Sequence, residues 1–407
     1  MAIERALRIA CVTETWPPEL NGVSLTVERT VRYLGERGHE VDLVRPRQPA
    51  DGRSASAPAT DAVGGSPDAG AARRLLTRGC VIPMYPDLRF GLALPGTLGR
   101  RFDAERPDVV HLATPGPLAW AALAAARARG IAVTSDFRTN FHQYAGHYGL
   151  GFLAGAAMGL LRRFHNLTDL TFVPTRATES ALAAAGVQRL SRVGRGVDTV
   201  RFDPARRNAA LRASWGVGAD TPVLLSVGRV AAEKNVDLAL EAWQAAAAAR
   251  PGTALVVVGD GPARTRLAAA HPTVRFVGAL RGEALAAHYA SADAFLFPSL
   301  TDTFGNVVLE ALASGLPVVA FDTAAAAEHV VDGASGRLVA MGDRAGFVDA
   351  VRALALAPAR SRAAQGDAAR RIACGIAWPD VLARFESRLV ATVLDHEASR
   401  VRRPVVA

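Results

Sequence analysis

The chain has 407 residues, half of them hydrophobic and 21% charged, with a net charge of +9; all but one of its 47 basic residues are arginine. That length is too great for one ordinary core and suits two domains. No apolar run reaches the roughly 18 residues that a membrane span needs, and Cys11, Cys80 and Cys374 are too scattered for a disulfide framework or metal cluster.

The positive excess predicts an anionic neighbour, either a phosphorylated ligand or an anionic membrane surface. Nucleic acid is not expected, because no helix-turn-helix, zinc-finger or aromatic-basic signature occurs. The amino terminus leads straight into a strand-like run without a signal-peptide apolar region, which predicts a cytoplasmic protein.

Short β-branched runs alternate with alanine-rich helical stretches. Strands are predicted at 9–12, 41–44, 109–112, 131–134 and 170–173, then at 223–227, 255–258, 274–277, 294–297 and 318–321. Such runs between helices read as parallel strands covered on both faces, so the expected fold class is α/β with two doubly wound Rossmann-like domains. Expected boundaries are 1–195, 196–376 and a helical tail, 377–407, returning toward the first domain. Trp378-Pro379 is predicted to break a helical region that begins after Ser335-Gly336-Arg337. Residues 48–74, rich in Pro, Ala, Ser, Gly and Asp, are predicted to be a mobile loop.

In the first half, Ser135-Asp136-Phe137-Arg138-Thr139-Asn140-Phe141-His142 follows a strand and brings polar groups to its carboxyl end. His111 and His147 are weaker candidates. The uncharged stretch 150–161, followed by Arg162-Arg163, reads equally as an interfacial helix at a membrane or as a packed helix.

In the second half the lone lysine, Lys234, lies with Arg229 just past the run Leu224-Val227. Ligands of open parallel sheets bind beyond the carboxyl ends of the strands, and two cations there predict a phosphate-bearing ligand. Pro298-Ser299-Leu300-Thr301-Asp302-Thr303-Phe304-Gly305-Asn306-Val307-Val308-Leu309-Glu310 then reads as a strand end, a glycine turn and a helix start. Free amides at such a start suit a diphosphate. Asp302 and Glu310 are placed to accept sugar hydroxyls from the two ends of one ligand; the plainer alternative makes them a helix cap and a surface residue.

The ordered set of Arg229, Lys234, Asp302 and Glu310, with Asn21-Gly22, Gly259-Asp260-Gly261-Pro262 and Gly315-Leu316-Pro317, resembles the retaining family 4 glycosyltransferases of GT-B architecture. The likeness spans nearly the whole chain and is greatest to GDP-mannose-dependent α-mannosyltransferases. It implies two Rossmann-like domains facing a central cleft. It further implies Arg229 and Lys234 on the donor diphosphate, Glu310 on the ribose and Asp302 on the transferred sugar. Amides of Gly305, Asn306 and Val307 would join the phosphate site, Gly22 would approach the donor, and His142 would steady the breaking glycosidic bond.

Two departures stand out: Asp302 replaces the family's usual glutamate, and Asn21-Gly22 replaces two adjacent glycines. No D-x-D triplet occurs, so no metal and no cofactor beyond the nucleotide-sugar donor are expected. The acceptor implied is a lipid or glycan hydroxyl, with peripheral contact at the inner face of the cytoplasmic membrane. A UDP-sugar donor (glucosyl, galactosyl or sulfoquinovosyl) stays open, as do a nucleotide-sugar 2-epimerase and a non-catalytic binding protein.

Overall fold

The computed structural model describes residues 5–17, 22–48, 51, 70–82, 85–137, 151–302 and 304–401. The chain forms two compact units, Met1–Gly194 with Val381–Ala407, and Arg195–Asp380.

The first unit holds β1 (Arg8–Val12), β2 (Glu40–Pro46), β3 (Arg73–Ile82), β4 (Tyr85–Leu92), β5 (Val109–Leu112), β6 (Ala132–Asp136), β7 (Leu170–Val173) and β8 (Leu190–Arg192). They make one sheet in the order β4-β3-β2-β1-β5-β6-β7-β8, parallel except for the antiparallel edge strand β4. Residues alternate along each strand between two cores. Ile9, Cys11, Val41, Leu43 and Val109 enter one, whereas Ala10, Val12, Val44, Val110 and Leu112 enter the other. Both faces are therefore dry, as parallel strands require.

The second unit holds β9 (Val223–Val227), β10 (Ala254–Val258), β11 (Arg275–Gly278), β12 (Ala294–Phe297), β13 (Val318–Phe321) and β14 (Gly336–Val339). Their order, β11-β10-β9-β12-β13-β14, is that of a dinucleotide-binding sheet, with every pair parallel. Leu225, Val256, Phe295 and Val318 face one core, and Leu224, Leu255, Leu296 and Val319 face the other. The backbones crowd where β9 and β10 end. A Cβ added to Gly259, which has φ +143°, would lie 1.8 Å from the Gly228 carbonyl oxygen.

The last helix, Trp378–Val401, begins in the second unit and continues into the first. Val381, Phe385, Leu389 and Val393, four residues apart, bury one stripe in the first unit's core. Each such side chain contributes about 1.5–3 kcal/mol on burial. Glu386 beside this stripe is 3% exposed and accepts hydrogen bonds from Tyr33 Oη (2.9 Å), His39 Nε2 (2.9 Å) and Arg37 Nε (3.2 Å).

Three details differ from the sequence expectation, and the expected helix break has its own form. The strands β3, β4 and β8 were not foreseen: arginine, proline and glycine interrupt the apolar pattern of β3 and β4, and β8 is three residues long with only Ser191 buried. β14 lies in the stretch expected to be helical after residue 337; it completes the sheet beside β13. The helical region is interrupted between Cys374 and Trp378, and Trp378-Pro379 opens the helix that follows, since a first-turn proline gives up no intrahelical hydrogen bond. The ends of the 48–74 segment are built in. Arg45 grips the Asp51 carboxylate with two nitrogens at 2.8 and 2.7 Å, and Arg73 and Arg74 belong to β3. The rest of that segment, 49–50 and 52–69, lies outside the described residues.

Candidate functional site

The chain runs from β9 through β10 to β11 on one side, then crosses to β12 on the other. This reversal leaves the loops after β9 and β12 side by side, the place where open α/β sheets bind ligands. Three hydrogen bonds join the loops. Leu300 N and Ser299 Oγ donate to the Glu233 carbonyl at 3.0 and 3.4 Å, and Asn235 Nδ2 donates to the Pro298 carbonyl at 3.3 Å. Asn235 closes the short 3-10 turn Ala232–Lys234 in a left-handed conformation (φ 52°) and launches the helix Val236–Ala249.

That stitching brings Lys234 Nζ within 2.5 Å of Asp302 Oδ2. Both side chains are partly exposed, at 24% and 18%, so the pair stands at the rim of the site. Arg229 is far more open, 66% exposed, and only loosely paired with Glu233 at 3.6 Å. A pair so exposed contributes about 0–1 kcal/mol, so the guanidinium is available to an anion. A depression in the surface is lined by Ser226, Gly228, Arg229, Lys234 and Ser299.

Beyond Asp302, Gly305 takes φ +87° and caps the helix Asn306–Ala313 without a side-chain hydrogen bond. A glycine suits this left-handed turn, and a Cβ there would also fall 3.2 Å from the Phe297 ring. The first amides of the helix, including those of Asn306 and Val307, have no acceptor within it. One turn on, Glu310 Oε2 accepts the Tyr289 hydroxyl at 3.0 Å. Tyr289 is fully buried, and that burial, with the Glu310 charge second, holds its phenol well above 10. The phenol therefore stays a donor and fixes the carboxylate.

Arg229, Lys234, Asp302, Gly305, Asn306, Val307 and Glu310 thus all lie in the second unit, around the β9 and β12 loops. Gly22 is in the first unit, opening the helix Gly22–Glu36, where Thr26 Oγ1 donates to its carbonyl at 2.6 Å. His142 and His147 lie outside the described residues, as do Asn21 and Thr303. His111 is an interior residue: Nδ1 meets Thr134 Oγ1 at 3.0 Å, Nε2 meets Asp136 Oδ2 at 3.3 Å, and Phe172 and Phe385 pack on its ring.

Sequence reasoning passed over Tyr289 and Glu14. No local motif marks Tyr289. Glu14 lies just past β1, at the equivalent reversal of the first sheet, and that position was the available signal. Its carboxylate accepts the Leu118 amide at 2.9 Å and the Gly91 amide; burial nevertheless pushes its pKa up to about 7. The helix Gly151–Asn166 turns Leu161, Phe164 and His165 inward and leaves Leu160 55% exposed beside exposed Arg162 and Arg163. Among the described residues, no helix is long and apolar enough to cross a membrane.

Residues 20–201 match the model of Glycosyltransferase Family 4, and residues 221–356 match that of Glycosyl transferases group 1. A GDP-mannose-dependent alpha-mannosyltransferase of Mycolicibacterium smegmatis is 37% identical over 377 residues, 92% of this chain and 95% of the relative. A sulfoquinovosyl transferase of Arabidopsis thaliana is 30% identical over 78% of this chain and 60% of its own length. Among solved structures, the sucrose-phosphate synthase of Thermosynechococcus elongatus superposes with a TM-score of 0.72 at 19% identity, covering 96% of this chain and 99% of that one. Anabaena HepE in complex with UDP gives 0.72 at 15% identity, over 95% and 100%. At such identities these two likenesses establish the fold.

Proposed function

Since this chain belongs to glycosyltransferase family 4 and has the GT-B fold, we propose that it moves an α-mannosyl group from GDP-mannose to a hydroxyl of a glycolipid or glycan acceptor, with retention. The observation that carries the donor class is the meeting of Lys234 and Asp302 at 2.5 Å beside the start of the helix Asn306–Ala313. A cation that neutralises phosphate and a carboxylate that accepts sugar hydroxyls, held at one point, suit a ligand in which a sugar is joined to a diphosphate. The choice of mannose and guanosine is supported by the 37% identical relative.

In this reading Arg229, Lys234 and the amides of Gly305, Asn306 and Val307 bind the diphosphate. Asp302 takes the mannosyl hydroxyls and Glu310 the ribose, and the family resemblance assigns Gly22 to the donor and His142 to the breaking glycosidic bond. The bond from the anomeric carbon to the diphosphate oxygen breaks, and the acceptor oxygen bonds to the same face. The acceptor proton passes to the departing phosphate oxygen, and GDP is the leaving group. The cations offset the charge that develops there. No metal ion is assigned a part, and full activity in EDTA is the expected result.

Peripheral contact with an anionic bilayer belongs to the same reading, through Leu160, Arg162 and Arg163. Co-sedimentation with phosphatidylglycerol vesicles, weakened in Arg162→Glu/Arg163→Glu, is expected.

A UDP-sugar donor is the second reading, favoured by the 30% identical sulfoquinovosyl transferase. Thermal shift with GDP, UDP, ADP and dTDP separates the two. A ligand at a hundred times its Kd adds about 2.7 kcal/mol of stability. A response to GDP alone is expected; a response to UDP alone replaces mannosyl transfer with the second reading.

A further inference from the structure

Arg195 is the first residue of the second unit and only 7% exposed. Two residues on, the backbone at Val197 is held by the segment that leaves the same unit. Val197 N donates to the Ile376 carbonyl at 3.2 Å, and Trp378 N donates to the Val197 carbonyl at 3.3 Å. The fit at Gly196 is close, since a Cβ there would fall 2.6 Å from Trp378 Cα. From this fixed base the guanidinium reaches the donor helix. Its Cζ lies 5.6 Å from the centre of the Phe304 ring, and Nη1 donates to Asn306 Oδ1 at 3.3 Å.

Phe304 and Asn306 flank Gly305, whose left-handed turn aims the first amides of the helix. The turn is braced elsewhere as well: the Phe304 carbonyl accepts Ala325 N at 2.7 Å, and the Phe297 ring backs Gly305. Burying a guanidinium costs solvation energy. Here it also adds positive charge beside a helix N-terminus that is already positive. Both features favour an anion at the same place.

We propose that Arg195 is a positioning residue for the donor diphosphate. It clamps Phe304 and Asn306, so that the amides of Gly305, Asn306 and Val307 point in fixed directions. The inference rests on the donor-site reading given above. It assigns a task to the segment Gly194-Arg195-Gly196, which that reading leaves unused.

The test compares Arg195→Ala, Arg195→Lys, Asn306→Ala and the double variant Arg195→Ala/Asn306→Ala with the parent. KM for GDP-mannose and kcat are measured at saturating acceptor, with the melting temperature of each protein without nucleotide. In Arg195→Ala, KM is expected to rise by about tenfold with a much smaller change in kcat. Lysine has no planar face to lay on Phe304, so Arg195→Lys is not expected to restore KM. Asn306→Ala is expected to raise KM alone but to add little on top of Arg195→Ala.

A parental KM in folded Arg195→Ala, or effects that simply multiply in the double variant, overturns the inference. A merely structural residue lowers the melting temperature and leaves KM in place. Should Arg195→Ala not fold, parental KM values in both Arg195→Lys and Asn306→Ala overturn it. Lys234→Ala is run alongside. If it loses GDP binding while Arg195→Ala keeps it, only this inference fails; if neither variant affects GDP binding, the donor-site reading itself fails.

Discussion

Lys234 and Asp302 are 68 positions apart in the chain, yet their charged atoms meet at 2.5 Å. The β9 and β12 loops that carry them are joined by a backbone hydrogen bond from Leu300 and by side-chain bonds from Ser299 and Asn235. Each group is thereby held at a defined point and neutralised by the other, ready for a ligand that carries both a phosphate and hydroxyls.

Removing the cation removes the stabilisation of the leaving diphosphate. Lys234→Ala is expected to lower kcat/KM by about 100-fold to 1000-fold while the protein stays folded. Lys234→Arg is expected to be nearly as poor, because a planar fork does not replace a compact ammonium at 2.5 Å from a carboxylate. Steady-state kinetics with circular dichroism checks this, and near-parental rates for Lys234→Ala would remove Lys234 from the mechanism.

Asp302→Glu keeps the charge and supplies the longer carboxylate usual in the family. Turnover equal to or above the parent's is expected, whereas Asp302→Asn, which has one acceptor oxygen and no charge, is expected to lose most activity. If the glutamate variant proves as inactive as the asparagine one, carboxylate position matters more than charge.

Tyr289→Phe deletes a buried hydroxyl that donates to Glu310 and leaves the ring packing intact. A charge-assisted hydrogen bond contributes about 1.5–3 kcal/mol, so donor KM is expected to rise by about tenfold or more. An unchanged KM would mean that Glu310 needs no such anchor.

Two buried groups in the first unit give opposite pH dependences. Burial lowers the His165 pKa from 6.5 to about 4, so only the unfolded chain takes up its proton across that window. Stability from His165 is therefore present above pH 6.5 and is lost as pH falls toward 4. Burial raises the Glu14 pKa from 4.5 to about 7, so the folded chain holds its proton longer. Its contribution is present below pH 4.5 and is lost as pH rises through 7. Each shift amounts to about 3 kcal/mol, and the two largely cancel in their shared range. Urea unfolding from pH 4.5 to 7 is expected to show stability falling with rising pH in His165→Gln and with falling pH in Glu14→Gln. Two variants that run parallel to the parent would refute both assignments.

Glu386→Ala takes the shared acceptor from Tyr33, Arg37 and His39 inside the first unit. The His39 Nδ1 already accepts the Leu7 amide at 3.0 Å, so Nε2 carries the proton and is left without its partner. A loss of about 3 kcal/mol is expected on unfolding in urea. A loss below about 1 kcal/mol would mean that water replaces the carboxylate.

The sequence by itself determined the strands whose identity is local. Val318-Phe321 is apolar along its whole length, and Val41-Val44 and Val223-Val227 are apolar but for Asp42 and Ser226, as strands buried on both faces largely must be. It also singled out Lys234, Asp302, Gly305 and Glu310, because an isolated lysine, a glycine turn and spaced carboxylates are visible in one dimension. Only the tertiary structure decided which partners these residues have. Tyr289 reaches Glu310 from another helix, Arg195 reaches Phe304 and Asn306 across 111 positions to Asn306, and Glu386 finds three donors more than 340 positions away. The edge strand β4, its neighbour β3 and the late strand β14 were likewise hidden, since neighbouring strands supply what their own side chains do not announce. Side-chain type and spacing fix local preference, whereas hydrogen-bond pairing depends on the order in which the sheet assembles its strands, and no local pattern encodes that order.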